Sequence, residues 1–165
     1  MKRLSVLICL LLTFACFAEE PQEWLKNSFG EKLIDAKDTE HKVFELKDKM
    51  VGIYFSAHWC PPCRMFTPKL VEFRDACAKE NFEVVFVSCD HDEKAMKGYM
   101  TETNMKWLAV PFESPVRRKL METYKVTGIP YLVILDKDGK IVSKNARSEV
   151  TRDGVNALKF WTKKQ

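Results

Sequence analysis

The chain has 165 residues, of which 46% are hydrophobic, so its length and composition predict one compact domain with a buried core and leave no room for a second. Its formal net charge of +4 comes from 27 basic and 23 acidic residues, interspersed as on an ordinary solvated surface. The sequence has no basic stripe with interleaved aromatic residues, which argues against a nucleic-acid partner.

The first 18 residues have the order of a secretory signal peptide. Lys2 and Arg3 precede an apolar stretch at 4–17 and the small residue Ala18, after which we expect cleavage. This predicts a secreted, periplasmic or otherwise extracytoplasmic protein with no stable membrane insertion once the leader is removed. An uncleaved membrane anchor is the alternative, although the apolar stretch is shorter than a spanning helix usually needs. Cleavage removes two basic residues and no acidic ones, so the formal charge falls from +4 to +2.

Hydrophobic periodicity divides the remaining chain into a lead-in at 19–30 and a domain at 31–165. In chain order the predicted elements are a helix at 21–28, strands at 32–35, 43–46 and 50–56, a helix at 61–79, a strand at 82–88, helices at 92–103 and 114–124, strands at 131–135 and 140–143, and a helix at 151–161. This order predicts an α/β fold with a central mixed sheet and helices on both faces.

Local signals support several of these elements. The two longest strands are near-continuous apolar runs, as in the buried strands of a parallel sheet, whereas the short strand at 32–35 is expected at a sheet edge. Ser114 is expected to cap a helix in which Pro115 is the first residue. The turn residues at 136–139 between two apolar segments predict a β-hairpin.

The run Trp59-Cys60-Pro61-Pro62-Cys63 lies between a predicted buried strand and an amphipathic helix. Cysteines three residues apart at the start of a helix face the same way, so their sulfurs can close a disulfide with little backbone movement. The unpaired N–H groups and the positive dipole end of the helix favour a thiolate there. Because reactivity follows the thiolate fraction, we predict that Cys60 is the attacking cysteine and Cys63 the resolving one.

Two other interpretations of the cysteine pair stay open. A zinc site needs four ligands, and Cys89 and His91 are the residues that would complete a set with Cys60 and Cys63. A purely structural disulfide would close a very small loop, for which the loop-entropy stabilisation is least. The order of strand, motif and helix, together with the Pro-Pro spacer, favours redox chemistry over both.

Together with Thr127-Gly128-Ile129-Pro130, the motif and the element order resemble the thioredoxin superfamily, and more closely its tryparedoxin and nucleoredoxin branch. The likeness spans residues 30–150 and is carried by YFSAHWCPPCR at 54–64, FTP at 66–68, FEVVF at 82–86 and WLAVPF at 107–112. The resemblance implies a thioredoxin-like fold and dithiol–disulfide exchange. In the trypanosomal branch it implies electron transfer from a low-molecular-weight dithiol to peroxidases.

The resemblance also implies roles for residues outside the motif. Pro130 matches the family's cis-proline opposite the cysteines, which leaves the backbone of Ile129 free to pair with an extended substrate. A proline that merely starts a strand is the alternative. Trp59 and Trp107 are expected to flank the cysteines and provide an apolar surface for substrate binding. A role in the hydrophobic core alone is equally open for Trp107.

Three positions qualify this resemblance. Many thioredoxins place a buried Asp where this chain, like the tryparedoxin branch, has Tyr54, so proton transfer to the resolving cysteine must use water or another group. His58 is a candidate modulator that would stabilise a thiolate if it were protonated or pointed inward, although a solvent-facing histidine is the favoured alternative. Cys89 stands where tryparedoxins carry a Trp, so it is either a third thiol near the pair or, as we prefer, a small buried hydrophobe. A disulfide between Cys89 and Cys77 is not expected, because six strand residues span roughly 20 Å.

We therefore expect an exported thioredoxin-fold protein-disulfide oxidoreductase that exchanges the Cys60–Cys63 pair with protein or small-molecule disulfides, more as a reductant than as an oxidant. The cycle needs no cofactor and no metal. The expected partners are disulfide-containing proteins or small-molecule thiols and a redox partner protein, and the chain is expected to be a monomer. The alternative function is an exported copper-binding protein that uses the Cys-x-x-Cys thiolates with a histidine. A non-catalytic binding module is a third interpretation.

Overall fold

A computed structural model describes residues 23–163, so the predicted signal peptide at 1–18 and the start of the lead-in lie outside the described residues. Within that range the helices are α1 (Glu23–Phe29), α2 (Pro61–Cys77), α3 (Glu93–Glu102), α4 (Val116–Thr123), α5 (Ala146–Asp153) and α6 (Asn156–Thr162). The strands are β1 (Lys32–Ile34), β2 (Glu40–Lys42), β3 (Met50–Ser56), β4 (Phe82–Ser88), β5 (Leu108–Ala109), β6 (Tyr131–Leu135) and β7 (Ile141–Ser143). Short 3₁₀ helices cover Val43–Leu46 and Ala78–Glu80.

The strands form one mixed sheet in the order β2-β1-β5-β4-β3-β6-β7. β3 and β4 pair in parallel along their whole length, from Met50 opposite Phe82 to Ser56 opposite Ser88. β6 pairs antiparallel with β3 and with β7, so the predicted hairpin is confirmed. All seven residues of β3 are buried, as expected for a strand rich in apolar residues at the centre of a sheet. The cysteine motif therefore follows the strand with the most extensive pairing.

Helices cover both faces of the sheet, which confirms the predicted layering. Buried side chains of α2, α3, α5 and α6 pack together on one face, and those of α1 and α4 pack on the other. Successive residues of a strand point to opposite faces. Accordingly Tyr54 of β3 packs with the first group of helices, and Ile53 and Phe55 pack with the second.

The N-terminal part of the sheet differs from the prediction. β1 is not an edge strand, because β2 pairs with it on one side and the two-residue strand β5 pairs with it on the other. Residues 43–46 form a 3₁₀ helix instead of a strand. Val43 and Leu46 are its buried residues, and their spacing of three fits the period of a 3₁₀ helix. Four residues are too few for periodicity to separate this pattern from strand alternation.

Two helix ends also differ from the prediction. The helix expected at 151–161 is two helices, because Gly154 adopts φ +52° between them, a backbone conformation that favours glycine. The helix predicted to start at Pro115 begins at Val116 instead. Ser114 Oγ accepts a hydrogen bond of 3.3 Å from the Val116 N–H, so this serine still supports the start of α4.

Candidate active site

The cysteine motif joins the carboxyl end of β3 to the start of α2. Cys60 is the N-cap residue of α2, with extended backbone, and Cys63 lies in the first turn of the helix. The two cysteines form a disulfide, with their Cα atoms 5.2 Å apart. Cys60 is 3% exposed and Cys63 is fully buried. Cys60 is therefore the cysteine nearer to solvent.

Two prolines change the electrostatics of this helix start. Pro61 and Pro62 have no N–H group, so among the first three residues of α2 only Cys63 can offer one to a sulfur anion at Cys60. The N–H of Arg64 already donates to the carbonyl of Cys60 at 3.1 Å. The stabilisation available to a Cys60 thiolate thus comes from the Cys63 N–H and the helix dipole.

Three residues from separate segments close around the disulfide. Ala57 belongs to the same buried cluster as the two cysteines, and Cys89 and Ile129 pack against that cluster. The Ile129–Pro130 peptide bond is cis, as the family resemblance implied. The Ile129 carbonyl oxygen lies 3.8 Å from Cys60 Sγ. This is a contact and not a hydrogen bond, since a disulfide sulfur carries no hydrogen.

Trp59 is held in a fixed orientation beside Cys60, although its side chain is 53% exposed. Its indole Nε1–H donates to the carbonyl of Cys89 at 3.1 Å. Its ring stacks on that of His91, with centroids 5.7 Å apart and planes at 14°. The orientation of the indole is therefore set by contacts within the protein itself.

Several exposed residues next to Cys60 are apolar. Met65 is 75% exposed, and Pro61 and Pro62 are exposed as well. With Trp59 these residues form a surface that we call the apolar rim. An exposed apolar surface beside a reactive group is a typical docking site.

Asp90 is a site residue that the sequence analysis missed. Its carboxylate is almost fully buried and accepts hydrogen bonds from the main-chain N–H of His58 and from the Ser88 hydroxyl, each at 2.8 Å. Asp90 therefore links the end of β4 to the turn that precedes Cys60. The sequence signal that could have identified Asp90 is a carboxylate directly after a buried strand. Its main-chain partner, the N–H of His58, is 32 residues away and has no sequence signature.

The side chain of His58 has partners on α3. Its ring stacks on Tyr99, with centroids 5.3 Å apart and planes at 14°. Its Nε2 lies 3.0 Å from a carboxylate oxygen of the exposed Glu102. These contacts support the solvent-facing interpretation of His58 over an inward role at the thiolate.

The predicted contribution of Trp107 to substrate binding is not supported, because this side chain lies in the core. It is 1% exposed and packs edge-on against Tyr54, with ring centroids 6.4 Å apart and planes at 89°. Of the two roles left open for Trp107, the structure favours the core role. Tyr54 is itself fully buried, and its hydroxyl lies 2.8 Å from Thr67 Oγ1.

Cys77 and Cys89 are free thiols, in agreement with the expectation that they do not pair. Burial raises the pKa of each thiol from its ordinary value of 9.0 to about 11. At Cys89 the positive charge of Arg117 opposes this increase. Both residues are therefore protonated near neutral pH, which supports the interpretation of Cys89 as a small hydrophobe.

The structure gives no support to the metal-binding alternatives. Between residues 23 and 163, no three or more His, Cys, Asp or Glu side chains are grouped so that they could hold a metal ion. Cys89 packs against the cysteine pair, whereas the His91 ring is stacked on Trp59.

Comparison with known proteins gives matches over the segment that carries this site. Residues 48–141 match a family model described as thioredoxin-like. Human nucleoredoxin is 47% identical over 111 residues, which are 66% of this chain and 25% of that protein. Probable nucleoredoxin 1 of Arabidopsis thaliana is 45% identical over 120 residues, which are 72% of this chain and 20% of that protein. The chain thus spans a fifth to a quarter of the length of these relatives.

Solved tryparedoxin structures match over nearly their whole length. Tryparedoxin II of C. fasciculata has a TM-score of 0.76 and 36% identity, with 83% of this chain and 92% of that chain covered. Tryparedoxin of Trypanosoma brucei has a TM-score of 0.75 and 35% identity, with 86% and 97% covered. Tryparedoxin II complexed with glutathionylspermidine has a TM-score of 0.74 and 33% identity, with 83% and 95% covered.

The predicted extracytoplasmic location is wrong. The curated relatives are nucleoredoxins, which are nuclear or cytosolic proteins. The prediction depended on the composition of residues 1–18, and these lie outside the described residues, so no signal peptide is shown. Among the helices between 23 and 163, none combines the length and the hydropathy that crossing a bilayer requires.

The matched family and the Cys60–Cys63 disulfide both support a thiol–disulfide oxidoreductase function. The matched segment includes both cysteines, their connecting prolines and the cis-proline. The chain therefore belongs to the thioredoxin-like family, in which its homologues include nucleoredoxins and tryparedoxins.

Proposed function

We propose that the domain, with bounds at 31–165, is a thiol–disulfide oxidoreductase that acts mainly as a reductant. The observation that carries this proposal is the disulfide at the start of α2, beside the apolar rim and the Ile129 carbonyl. Cys60 is the attacking cysteine, because it is nearer to solvent and stands at the N-cap of the helix. Cys63 is fully buried and resolves the intermediate.

The proposed cycle starts from the dithiol. The Cys60 thiolate attacks a substrate disulfide R–S–S–R′, forms the mixed disulfide Cys60–S–S–R and releases R′–S⁻. The Cys63 thiolate then attacks the Cys60 sulfur, expels R–S⁻ and closes the Cys60–Cys63 disulfide. Two electrons pass to the substrate, and the two protons lost by the cysteines balance the two that the released thiolates take up. This cycle uses no cofactor.

The surroundings of Cys60 support docking of a disulfide that is flanked by apolar groups. The apolar rim offers contact area, and the indole of Trp59 is already oriented by its bonds to neighbouring residues. We propose protein disulfides and small-molecule disulfides as substrates and a redox partner protein that restores the dithiol, with the domain acting as a monomer. The similar protein tryparedoxin II has been solved in complex with glutathionylspermidine, which supports a small-molecule thiol as one partner of this chain.

The test is the reduction potential of the Cys60–Cys63 pair. The protein is equilibrated in glutathione and dithiothreitol buffers, alkylated and read by mass spectrometry. Related dithiols span about −270 to about −120 mV, and we expect a reversible two-electron couple near the reducing end. A pair that cannot be cycled contradicts the oxidoreductase proposal, and a potential near the oxidising end contradicts the proposed direction.

Three variants assign the roles of the cysteines in a disulfide-reduction assay. Cys60→Ser is expected to abolish turnover. Cys63→Ser is expected to accumulate a mixed disulfide at Cys60, because the resolving thiol is missing. Cys77→Ser is the matched control, since it removes a buried free thiol of α2 that lies outside the motif. Turnover by Cys60→Ser would contradict the assignment.

A further inference from the structure

Four fully buried hydroxyl groups form a connected set, and one of them contacts the main chain of Cys63. Thr67, one helical turn after Cys63 on α2, is at their centre. Its Oγ1 lies 3.0 Å from the Cys63 carbonyl oxygen, 2.8 Å from Tyr54 Oη and 2.5 Å from Tyr99 Oη. Tyr99 Oη lies 3.1 Å from Ser56 Oγ. We call Ser56, Tyr99, Thr67 and Tyr54 the hydroxyl cluster.

A count of protons fixes the direction of every hydrogen bond in the hydroxyl cluster. A carbonyl oxygen can only accept, so the single proton of Thr67 goes to Cys63. Tyr54 and Tyr99 must then both donate to Thr67 Oγ1, which has two lone pairs for them. The Tyr99 proton is used there, so Ser56 donates to Tyr99. All four hydroxyl protons therefore point along bonds that lead to the carbonyl of Cys63.

Tyr54 keeps its proton in this arrangement. Burial raises the pKa of Tyr54 far above its ordinary value, so the phenol stays protonated and neutral. In a site without bulk water, aligned O–H dipoles interact more strongly with a nearby charge than they would in solvent. The positive end of the Thr67 O–H dipole faces the Cys63 carbonyl oxygen and offsets its negative charge, and the other three O–H dipoles are aligned behind it through Thr67 and Tyr99.

We propose that Thr67 and Tyr99 are positioning residues for the resolving step, because the hydroxyl cluster holds the first turn of α2 and favours a thiolate at Cys63. The proposal rests on the assignment of Cys63 as the resolving cysteine. In that step the Cys63 thiolate bonds to the Cys60 sulfur of the mixed disulfide, and the substrate sulfur leaves as a thiolate that takes a proton. This chain has Tyr54 where many thioredoxins have a buried Asp, and Tyr54 belongs to the hydroxyl cluster that contacts the Cys63 carbonyl.

Several other titratable groups lie near Cys63, and of these only Cys60 is replaced, identically in every variant of the first experiment. Cys60 and Cys89 lie in or against the same cluster of side chains. Asp90 lies on the adjoining turn, with its carboxylate bonded to the His58 N–H and the Ser88 hydroxyl. The His58 ring is paired with Glu102.

The first experiment measures the ionisation of Cys63 alone. In a Cys60→Ser background, the rate of Cys63 alkylation is followed against pH, with and without Tyr99→Phe or Thr67→Val. Each substitution keeps the size of the side chain and removes one hydroxyl group. We expect the pH midpoint of Cys63 alkylation to rise by about half a pH unit, which lowers the thiolate fraction at neutral pH about threefold. Thr67→Ser, which keeps the hydroxyl, is expected to restore the wild-type midpoint.

The second experiment uses the protein with both cysteines. Stopped-flow measurements separate formation of the mixed disulfide at Cys60 from its resolution by Cys63. Tyr99→Phe is expected to slow resolution about threefold, in line with the thiolate fraction, while formation changes by less than about twofold. Tyr124→Phe is the matched control, because Tyr124 packs against Phe55 on the opposite face of the sheet.

The outcomes separate this inference from the proposed function. If the wild-type protein forms no mixed disulfide, the oxidoreductase proposal itself fails. If wild type cycles but neither the Cys63 midpoint nor the resolution rate responds to Tyr99→Phe and Thr67→Val, the hydroxyl cluster is merely structural and the inference is overturned. Ser56→Ala, which removes the donor to Tyr99, serves as the second variant if Thr67→Val does not fold.

Discussion

Asp90 accepts a hydrogen bond of 2.8 Å from the main-chain N–H of His58, two residues before Cys60. A second bond from Ser88 fixes the other carboxylate oxygen. The turn that presents the attacking sulfur is therefore tied to β4 by a buried side chain as well as being continuous with β3. Neither bond involves a sulfur atom, so neither requires the disulfide to be closed.

The first prediction concerns this bond. Asp90→Ala leaves the half-buried His58 N–H and the buried Ser88 hydroxyl without their acceptor, so we expect the free energy of unfolding to fall by about 2 kcal/mol. Asp90→Asn keeps one carbonyl oxygen for His58, and its amide can donate to Ser88 Oγ, so a smaller loss is expected. Urea denaturation followed by circular dichroism measures both variants. Equal losses in the two would contradict the role given to the hydrogen bond.

The second prediction concerns Trp59 and the apolar rim. Trp59→Ala removes exposed docking area, so we expect kcat/KM for a protein disulfide to fall roughly tenfold, the equivalent of about 1.4 kcal/mol. The free energy of unfolding should change little, since half of the side chain is in solvent. Phe160→Ala is the matched control, because Phe160 is 51% exposed on α6. A similar loss in both variants would show that the effect is not local to the rim.

The third prediction concerns the free thiols. Because the pKa of Cys77 and of Cys89 is raised to about 11, alkylation of the oxidised protein by iodoacetamide should be slow at pH 7 and rise with pH. Cys89 should react before Cys77, which is almost fully buried in α2. Peptide mass spectrometry of timed samples identifies the order. Fast labelling of Cys89 at neutral pH would show that this thiol is activated.

The same pKa values set the sign of a pH effect on stability. The folded state disfavours both thiolates, whereas an unfolded thiol ionises near its ordinary value of 9.0. The contribution of these thiols is therefore fully present below pH 9 and is lost as the pH rises from 9 to 11. Urea midpoints of Cys77→Ser and wild type should converge over this window, because the serine cannot ionise there.

The fourth prediction compares two glycines. Gly154 has φ +52°, so Gly154→Ala should strain the junction between α5 and α6 and lower the free energy of unfolding by about 1–2 kcal/mol. Gly98 lies within α3, and a Cβ there would meet no atom within 4 Å. Gly98→Ala should therefore stabilise the protein by up to about 1 kcal/mol. Thermal unfolding measures both, and a stabilising Gly154→Ala would contradict the assigned strain.

Long elements with strong patterns could be predicted from the sequence. β3 and β4 are seven-residue apolar runs, and the motif at 59–63 between a strand and a helix indicated a redox pair. Short elements could not be predicted. β5 has two residues and is defined by its pairing with β1 and β4. Pairing of this kind depends on tertiary contacts and leaves no periodicity to read.

The site was predictable where chemistry resides in one segment and unpredictable where it depends on contacts between segments. Cys60, Cys63 and Pro130 were found from local motifs. Asp90 and Tyr99 act through atoms 32 residues away, His58 N and Thr67 Oγ1 respectively. The sequence does not distinguish a tyrosine whose hydroxyl is hydrogen-bonded in the core from one that only packs there. Only the fold shows which phenol oxygen has a partner.

The central position of β3 limits backbone opening at the site. This strand is hydrogen-bonded to β4 on one side and to β6 on the other along nearly its whole length. Its amide protons can exchange with deuterium only when the sheet opens, so they should be among the last to exchange. The cysteine motif therefore directly follows the strand that we expect to open last. During thiol–disulfide exchange the sulfur atoms change bonding partners, while the hydrogen bonds of this strand stay intact.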